Sequence, residues 1–311
     1  MPIEMLEKRV LSSDGKHELV GRVYLPDGGQ SPCKIFHVVH GMTEHIARYD
    51  SFMRAMAEDG FIVFGYDHLG HGYTARDKSE LGFIAHEDGW QRLVDDVAVF
   101  SNAVKEEYGP DLPYVLFGHS MGSFIVRLVA SQYDLQDKLI VMGTGGPNPA
   151  AGAGLAMIRM IKTFKGERHI SNLVEKLAFG SYNARFNEDD PKSWLSTDAE
   201  IRKTYATDPF CTFHFTASAM GDLIQLNRES NRKAWARGMN KQKPVLLISG
   251  SDDPVGDYGK GVQKVFDRLS AAGVPVQMKL YDGCRHEILN DTCRDQVIAD
   301  IREFVQYVGE A

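Results

Sequence analysis

The stretch of residues 113–130 constrains the fold of this chain of 311 residues more than any other feature. It begins with the run Tyr-Val-Leu-Phe at residues 114–117, which is typical of a fully buried strand. Gly118 and Gly122 then flank Ser120, and apolar residues recur at helical spacing after the second glycine. A strand, a sharp turn with a serine at its apex and a helix together form the Gly-x-Ser-x-Gly pattern of a nucleophile elbow.

Each part of this elbow has a physical reason. The turn is so tight that side chains at the two glycine positions would collide with the neighbouring strand and helix. The N-terminus of the following helix directs its amide N–H groups at Ser120, which favours a developing negative charge there. We therefore interpret Ser120 as a nucleophile. The alternative is an ordinary glycine-rich turn with a serine that faces solvent.

The composition is typical of a globular protein, with 43% hydrophobic and 25% charged residues. The net charge of −7 and the scattered basic residues argue against nucleic acid as a partner. The sequence has neither a signal-peptide pattern nor a run of about 18 apolar residues, which predicts a cytoplasmic location. No Cys-x-x-Cys spacing occurs, so we expect free thiols at all four cysteines: Cys33, Cys211, Cys284 and Cys293.

Strand and helix patterns alternate along the first half of the chain. Continuous apolar runs at residues 34–40 and 61–66 are typical of central strands, and helical periodicity covers residues 50–59 and 90–107. A further strand pattern follows the elbow at residues 139–142. This alternation predicts an α/β fold with a mostly parallel, doubly wound sheet.

The alternation stops between residues 148 and 243, and strand patterns return at residues 244–249 and 276–281. We interpret residues 1–147 and 244–311 as two parts of one core, and residues 148–243 as an inserted helical cap over the C-terminal edge of the strands. A separate helical domain is the alternative. Three helices are predicted within this cap segment, at residues 151–164, 169–179 and 215–228.

A serine hydroxyl is a poor nucleophile at neutral pH, so it needs a base within hydrogen-bond reach and an acid that orients this base. Asp252 and Asp253 follow one strand of the second core part, and His286 follows the next. The chain order of serine, aspartate and histidine is the order found in α/β-hydrolases. All three positions lie just past strand ends, so we expect them to converge on one crevice with His286 as the base.

A tetrahedral intermediate also requires hydrogen-bond donors for its oxyanion. We predict that the backbone N–H of Met121, directly after the nucleophile, is one donor. The second is expected from the loop after the strand that ends at His40, where Gly41 lets the chain turn close to the site. The amide of Met42 is our candidate for this second donor.

Neither a metal nor an organic cofactor is predicted. No pair of histidines has the His-Glu-x-x-His spacing of a helical metal site, although six histidines crowd three strand-end loops. No Gly-x-Gly-x-x-Gly pattern follows the first parallel strand, which argues against a dinucleotide. The six histidines are His37, His40, His45, His68, His71 and His119.

Three motifs together resemble those of a known family. They are His-Gly-Met-Thr-Glu-His-Ile-Ala-Arg-Tyr at residues 40–49, Asp-His-Leu-Gly-His-Gly at residues 67–72 and Gly-His-Ser-Met-Gly at residues 118–122. This set resembles the monoacylglycerol lipase and lysophospholipase branch of the α/β-hydrolases, also described as the serine aminopeptidase-like group. The resemblance covers both core parts and is weak in the cap segment. It implies an α/β-hydrolase fold and a serine ester hydrolase that cleaves one acyl chain from a small polar head.

The resemblance also implies roles for individual residues. Asp253 takes the position of the acid, since it immediately precedes a proline, and Asp252 is then a turn or surface residue. Gly41, Glu44 and Arg48 lie in the loop that forms the polar end of the pocket in this family, and His119 is expected to contact the alcohol portion of the substrate. For Glu44 and Arg48 a buried structural ion pair is an equal alternative.

The cap segment is expected to determine specificity. Its apolar stripes are typical either of core packing or of a surface that binds an acyl chain and makes transient contact with a membrane. A peptidase is the nearest rival function, with an amine held by the acidic run Glu188, Asp189 and Asp190. A hydrolase fold retained for ligand sensing is the second rival. The apolar stripes comprise Leu155, Met157, Ile158, Met160, Ile161 and Phe164, followed by Phe210, Phe213, Phe215, Met220, Leu223 and Ile224.

Overall fold

A computed structural model describes residues 3–27, 32–186 and 189–306. Eight strands form one sheet in the order β1-β2-β4-β3-β5-β6-β7-β8. Their bounds are β1 Glu4–Leu11, β2 Glu18–Leu25, β3 Lys34–Val39, β4 Phe61–Tyr66, β5 Tyr114–His119, β6 Lys138–Met142, β7 Val245–Gly250 and β8 Val276–Tyr281.

Ten α-helices connect or follow these strands in the described ranges. Their bounds are α1 Asp50–Glu58, α2 Gly89–Tyr108, α3 Met121–Gln132, α4 Ala151–Lys165, α5 Asn172–Phe179, α6 Ala199–Thr207, α7 Ala217–Ser230, α8 Lys233–Gly238, α9 Lys260–Ala271 and α10 Arg294–Gln306. Short 3₁₀ turns occur at Ile46–Tyr49 and Ile288–Asn290.

The sheet confirms the predicted mostly parallel, doubly wound topology. Strands β1 and β2 form an antiparallel hairpin, and β2 pairs antiparallel with β4. All pairings from β4 through β3, β5, β6 and β7 to β8 are parallel. Every residue of β4, β5 and β7 is buried, as expected for central strands that are covered on both faces.

Helices cover both faces of the sheet, and each face has its own apolar cluster. One cluster joins the sheet to α2, α3 and α9, and the other joins it to α1 and α10. Because side chains alternate along a strand, neighbouring residues such as Ile35 and Phe36 of β3 enter different clusters. This arrangement brings the C-terminal ends of the parallel strands to one edge, where the candidate site lies.

The cap segment rests directly on the core. Helix α7 packs against α2, α3 and α4, and α8 packs against α3 and α9. The Asp222 carboxylate of α7 also accepts a hydrogen bond from the backbone N–H of Trp90 at the start of α2, at 2.9 Å. The boundaries 147/148 and 243/244 stay predictions.

Two helices of the cap segment, α6 and α8, are absent from the sequence-based prediction. Both are short, and α6 has only two buried residues, Arg202 and Tyr205, so its apolar periodicity is weak. A capping signal was present, because the Asp198 side chain accepts hydrogen bonds from the backbone N–H groups of Glu200 and Ile201. None of the helices in the described ranges is long and apolar enough to cross a membrane.

Candidate active site

Ser120 lies at the turn between β5 and α3, with φ of 53° and ψ of −117°. Positive φ is unfavourable for a serine and persists only where the surrounding structure enforces it. A Cβ atom at Gly118 would lie 2.4 Å from the carbonyl oxygen of Gly122, and one at Gly122 would lie 2.2 Å from that of Val39. Both glycines of the elbow are therefore required by close approach of the backbone.

His286 and Asp253 lie in the loops after β8 and β7, and His286 Nδ1 is 3.0 Å from Asp253 Oδ2. Both residues are buried. The Ser249 hydroxyl donates to Asp253 Oδ2 at 3.1 Å, and the Val255 amide donates to Oδ1 at 2.9 Å. Asp252 is exposed, so the structure brings Asp253 and not its neighbour to the histidine.

Mutual attraction stabilises the charged forms of this pair. Burial alone would raise the pKa of Asp253, but the adjacent His286 holds that pKa below its usual value. Burial likewise opposes the charge of His286, and the Asp253 carboxylate more than offsets this, so the pKa of His286 is raised. A histidine of this kind is stabilised as an imidazolium, the form that it takes after accepting a proton.

Two aromatic rings contact the His286 imidazole. The ring centroids of His119 and Trp194 lie 4.7 and 5.2 Å from that of His286. A Cβ atom at Gly143, where φ is +60°, would lie 3.1 Å from His286 Cε1. The imidazole is thus confined by packing on several sides.

The predicted oxyanion donors lie beside the elbow. The Gly41 amide donates to Glu44 Oε1, whereas the Met42 amide has no acceptor within the described part of the chain. The Met121 amide is the first of α3, where no intrahelical acceptor exists. Met42 and Met121 both line the candidate cavity, as expected if their amides are the oxyanion donors.

A buried polar network centred on Glu44 adjoins the elbow. Glu44 Oε1 accepts from the Gly41 amide and from the Tyr49 hydroxyl, and lies 3.2 Å from His119 Nδ1. Glu44 Oε2 accepts from Arg48 Nη1 at 2.9 Å. Burial alone would raise the pKa of Glu44, but His119 and Arg48 hold that pKa well below its usual value.

Arg48 joins this network to the residue after the candidate base. Its Nη1 and Nη2 donate to the two carboxylate oxygens of Glu287 at 2.8 and 2.7 Å, and its guanidinium lies 4.9 Å from the centroid of the Tyr205 ring. Glu44 and Arg48 thus form the buried ion pair that the sequence left as an alternative. The sequence did not lead us to predict a role for Glu287 in this network. Its position directly after His286 was the one signal that could have indicated it.

Ser120 and His286 line one cavity with a volume of about 870 Å³. Of the residues predicted to bind substrate, Glu44 and His119 line it, whereas Gly41 and Arg48 do not in the described part of the chain. His119 Nε2 is buried without a hydrogen-bond partner among the described residues, which leaves it available to a ligand. The Ser120 hydroxyl also makes no hydrogen bond there, and such bonds often tighten only when substrate is bound.

The apolar wall of the cavity comes mainly from α7 and its neighbours, and not from α4. None of the six apolar residues predicted on α4 lines the cavity; Ile158 is buried in the core, and Phe164 is 81% exposed. The apolar wall consists of Phe124, Phe179, Phe213, Met220, Leu223 and Ile224. Trp194, Leu195 and Tyr205 also line the cavity and were not predicted.

One group of side chains has the composition of a metal site. One ligand atom each from His45, Asp208 and Cys211 lie within 4.8 Å of one another. His45 Nε2 is already 2.8 Å from Asp208 Oδ2, and burial raises the pKa of the Cys211 thiol. Zinc binds the thiolate form of cysteine, and the raised pKa of Cys211 disfavours that form. This donor set therefore fits a metal poorly.

Several histidines of the strand-end loops hydrogen-bond to neighbouring backbone groups. His68 donates its backbone N–H to His40 Nε2, at 3.0 Å, and its own Nε2 lies 3.1 Å from the carbonyl oxygen of His40. Burial lowers the pKa of His68 to about 3 and that of His71 to about 4. These rings are therefore neutral and tie adjacent strand-end loops together.

Comparisons with known proteins identify the family of the chain. Residues 30–293 match the family model described as serine aminopeptidase, S33. The mouse monoglyceride lipase is 32% identical over 89% of this chain and 82% of its own length, and the Mycolicibacterium smegmatis monoacylglycerol lipase is 25% identical over 94% of each chain. A thermostable carboxyl esterase from Bacillus coagulans, solved with glycerol, superposes with a TM-score of 0.91 at 32% identity over 98% of each chain. The chain belongs to the serine aminopeptidase S33 family of α/β-hydrolases, in the branch that contains these lipases and esterases.

Proposed function

We propose that this protein is a serine carboxylic-ester hydrolase that removes a single acyl chain from a small polar head, of the monoacylglycerol or lysophospholipid type. One observation carries the proposal: Ser120 and His286, which is held by the buried Asp253, line the same cavity, and much of the rest of its lining is apolar. A nucleophile, a base with its orienting acid and an apolar chain site are the parts that such a reaction requires.

In the proposed first step, Ser120 Oγ attacks the ester carbonyl carbon while His286 Nε2 takes the hydroxyl proton. Asp253 holds the other ring nitrogen and stabilises the imidazolium. The carbonyl oxygen becomes an oxyanion that accepts hydrogen bonds from the Met42 and Met121 amides. As the C–O bond to the alcohol breaks, His286 returns the proton to the leaving oxygen.

The second step repeats this chemistry with water. His286 takes a proton from a water molecule, whose oxygen attacks the acyl-enzyme carbonyl, and the Ser120 oxygen leaves with the returned proton. The products are the free acid and the alcohol, and the enzyme is regenerated without a cofactor. We place His119 at the alcohol, since its Nε2 lacks a partner in the described residues and its ring contacts His286.

Cavity size and composition support a single-chain substrate. A cavity of about 870 Å³ lies within the range of small-molecule sites. Its apolar wall suits an acyl chain, each buried methylene of which contributes about 0.8 kcal/mol. The mouse and mycobacterial relatives are named for monoacylglycerol, and the Bacillus esterase was solved with glycerol, which is consistent with a small polar head.

The peptidase alternative has weaker support. Of the acidic run predicted to hold a substrate amine, Glu188 lies outside the described residues, and neither Asp189 nor Asp190 lines the cavity. Asp190 instead accepts a hydrogen bond from Arg202 Nε at 2.6 Å. The ligand-sensing alternative would require that Ser120 be unreactive.

We also infer transient contact of the cap segment with a lipid surface. Helix α5 contributes Phe179 to the cavity wall and also carries Leu173 and Leu177, which are 60% and 66% exposed. Phe164 of α4 is a third exposed apolar side chain of the cap segment. A lipid that leaves a membrane or micelle would have a short apolar path to the site.

The proposal is tested by labelling and turnover. A fluorophosphonate should label Ser120, and the Ser120→Ala variant should not react, whereas Ser270→Ala on the exposed side of α9 should label as wild type. Wild-type protein should then hydrolyse p-nitrophenyl esters and monoacylglycerol, but not aminoacyl-naphthylamides. If Ser120 is not labelled and no ester is hydrolysed, the proposal that the protein is an enzyme is wrong. If only the aminoacyl-naphthylamides are hydrolysed, the protein is a peptidase and not an esterase.

A further inference from the structure

Lys192 lines the candidate cavity and has no ion-pair partner among the described residues. Its side chain is partly buried, and Nζ lies 5.3 Å from the centroid of the Tyr205 ring. In the described part of the chain, no carboxylate lies within ion-pair distance of Nζ, and its side chain makes no hydrogen bond. A cation withdrawn from water without a compensating anion is costly, so such a group commonly marks a binding site.

Three of the four acidic residues in the described cavity lining are already paired with other cations. Glu44 and Glu287 share Arg48, and Glu175 is 2.6 Å from His214 Nδ1. Their distant charges do not offset the desolvation of Lys192, because burial lowers the pKa of its amine despite them. The fourth acid of the lining, Asp257, is exposed.

The position of Lys192 relative to His286 indicates which part of a substrate it would meet. Lys192 belongs to the segment of residues 191–195, which is held to the backbone that follows β8. The His286 amide donates to the carbonyl oxygen of Trp194 at 3.4 Å, and the Glu287 amide donates to that of Leu195 at 2.7 Å. Since His286 must face the leaving alcohol in order to protonate it, this segment lies on the alcohol side of the site.

We propose that Lys192 is a specificity-determining residue: it binds an anionic oxygen on the alcohol portion of the substrate and is the group that lets this site accept a polar head with a phosphate. The inference rests on the proposed ester hydrolysis at Ser120 and names the class of head group that this site accepts. The ammonium donates up to three hydrogen bonds to the phosphate, whose charge replaces the missing counter-ion. The apolar side chains of the lining would then hold the acyl chain.

The first test compares two esters that differ only in the phosphate, 1-lauroylglycerol and 1-lauroylglycerol 3-phosphate. Wild-type protein should hydrolyse both. Lys192→Met should lower kcat/KM for the phosphate ester by roughly 10- to 100-fold, mainly through KM, and that for the neutral ester by less than about threefold. Lys192→Arg should restore most of the loss because it keeps the charge. The control Lys203→Met removes one exposed charge from α6, away from the cavity lining, and should change neither value.

A binding measurement keeps this inference separable from the proposed chemistry. In the Ser120→Ala background, calorimetric titration with 1-lauroylglycerol 3-phosphate should give a Kd that Lys192→Met weakens by roughly 10-fold or more. The phosphodiester lysophosphatidylcholine in the same titration distinguishes a free phosphate group from a choline-capped one, and a Lys192-dependent Kd for either supports the inference. An equal Kd with and without Lys192 for both lipids would overturn it, even if Ser120 hydrolyses neutral esters. Absence of turnover with an intact, Lys192-dependent Kd would instead overturn the proposed hydrolysis.

Discussion

The two walls of the cavity are built in different ways. The core wall is formed by the loops after β3, β5, β7 and β8. It rests on buried polar residues such as Asp253 and Glu44, each of which hydrogen-bonds to several neighbours. The cap wall, formed by cavity-lining residues between 172 and 227, consists largely of apolar side chains with Lys192 among them. A buried hydrogen-bond network specifies one geometry, whereas apolar contacts tolerate ligands of different length.

This contrast predicts how substitutions in the two walls will differ. Changes in the core wall should abolish the reaction with every ester, because they disturb atoms that take part in each turnover. Changes in the cap wall should instead shift the preference among esters. The predictions below test this distinction from the largest expected effect to the smallest.

Asp253→Asn should reduce kcat for a soluble p-nitrophenyl ester by roughly 10³- to 10⁴-fold, since the histidine would lose both its orientation and its counter-charge. The exposed neighbour provides a matched control, and Asp252→Asn should change kcat by less than about threefold. Steady-state kinetics with both variants decide the assignment. Equal losses, or a greater loss at Asp252, would reject Asp253 as the orienting acid.

The pH profile should report the raised pKa of His286. The base acts only when neutral, and its pKa lies above the ordinary value of 6.5, so kcat/KM should fall about tenfold per pH unit on the acidic side of a midpoint above that value. A soluble short-chain ester measured between about pH 5 and 9 provides the profile. A midpoint clearly below 6.5 would show that burial, and not Asp253, dominates the titration.

Gly122→Ala should destabilise the fold by about 2 to 3 kcal/mol, because its Cβ would lie 2.2 Å from the carbonyl oxygen of Val39. Gly152→Ala on α4 is the matched control, since a Cβ there meets no atom within 4 Å. This second change should be neutral or stabilise by up to about 1 kcal/mol. Chemical denaturation of both variants tests the pair, and a neutral Gly122→Ala would contradict the close approach at the elbow.

Leu223→Ala should change how kcat/KM depends on the length of the acyl chain and should leave the chemical steps intact. Removing part of the apolar wall costs about 1 to 3 kcal/mol for a chain that reaches it, so kcat/KM should fall roughly 10-fold or more for a long ester and little for an acetyl ester. Leu280→Ala, on the partly exposed strand β8 and outside the cavity lining, is the control. An equal loss of kcat/KM at all chain lengths would mean that α7 supports the catalytic loops and does not bind the acyl chain.

Phe164→Ser should have the smallest effect, and only at a lipid surface. With 81% of Phe164 exposed, its replacement should leave stability and soluble-ester turnover unchanged. Hydrolysis of monoacylglycerol presented in phosphatidylcholine vesicles should fall a few-fold because the apolar contact is weaker. Vesicle co-sedimentation measures the contact directly, and unchanged binding and turnover would refute lipid contact through α4.

The core was predictable from the sequence because its signals are local. Runs of buried residues marked β4, β5 and β7, and helical spacing marked α1 and α2 to within a few residues at each end. The cap segment was harder, because short helices such as α6 have few buried positions and draw most of their stability from packing. The apolar stripe of α4 was correctly seen as helical, but periodicity alone does not say whether a stripe faces a cavity, the core or solvent.

The same division holds for the site. The sequence by itself determined the elbow glycines, the serine at its apex and the histidine after the last strand, because chain order and strand-end position are readable from local patterns. The family resemblance selected Asp253, and the tertiary structure places it against His286. Only the tertiary structure decided that Arg48 bridges Glu44 and Glu287, and that Lys192 lines the cavity without an ion pair among the described residues. These contacts join residues that are distant along the chain, and their energies depend on burial and on neighbouring charges, which arise only when the chain folds.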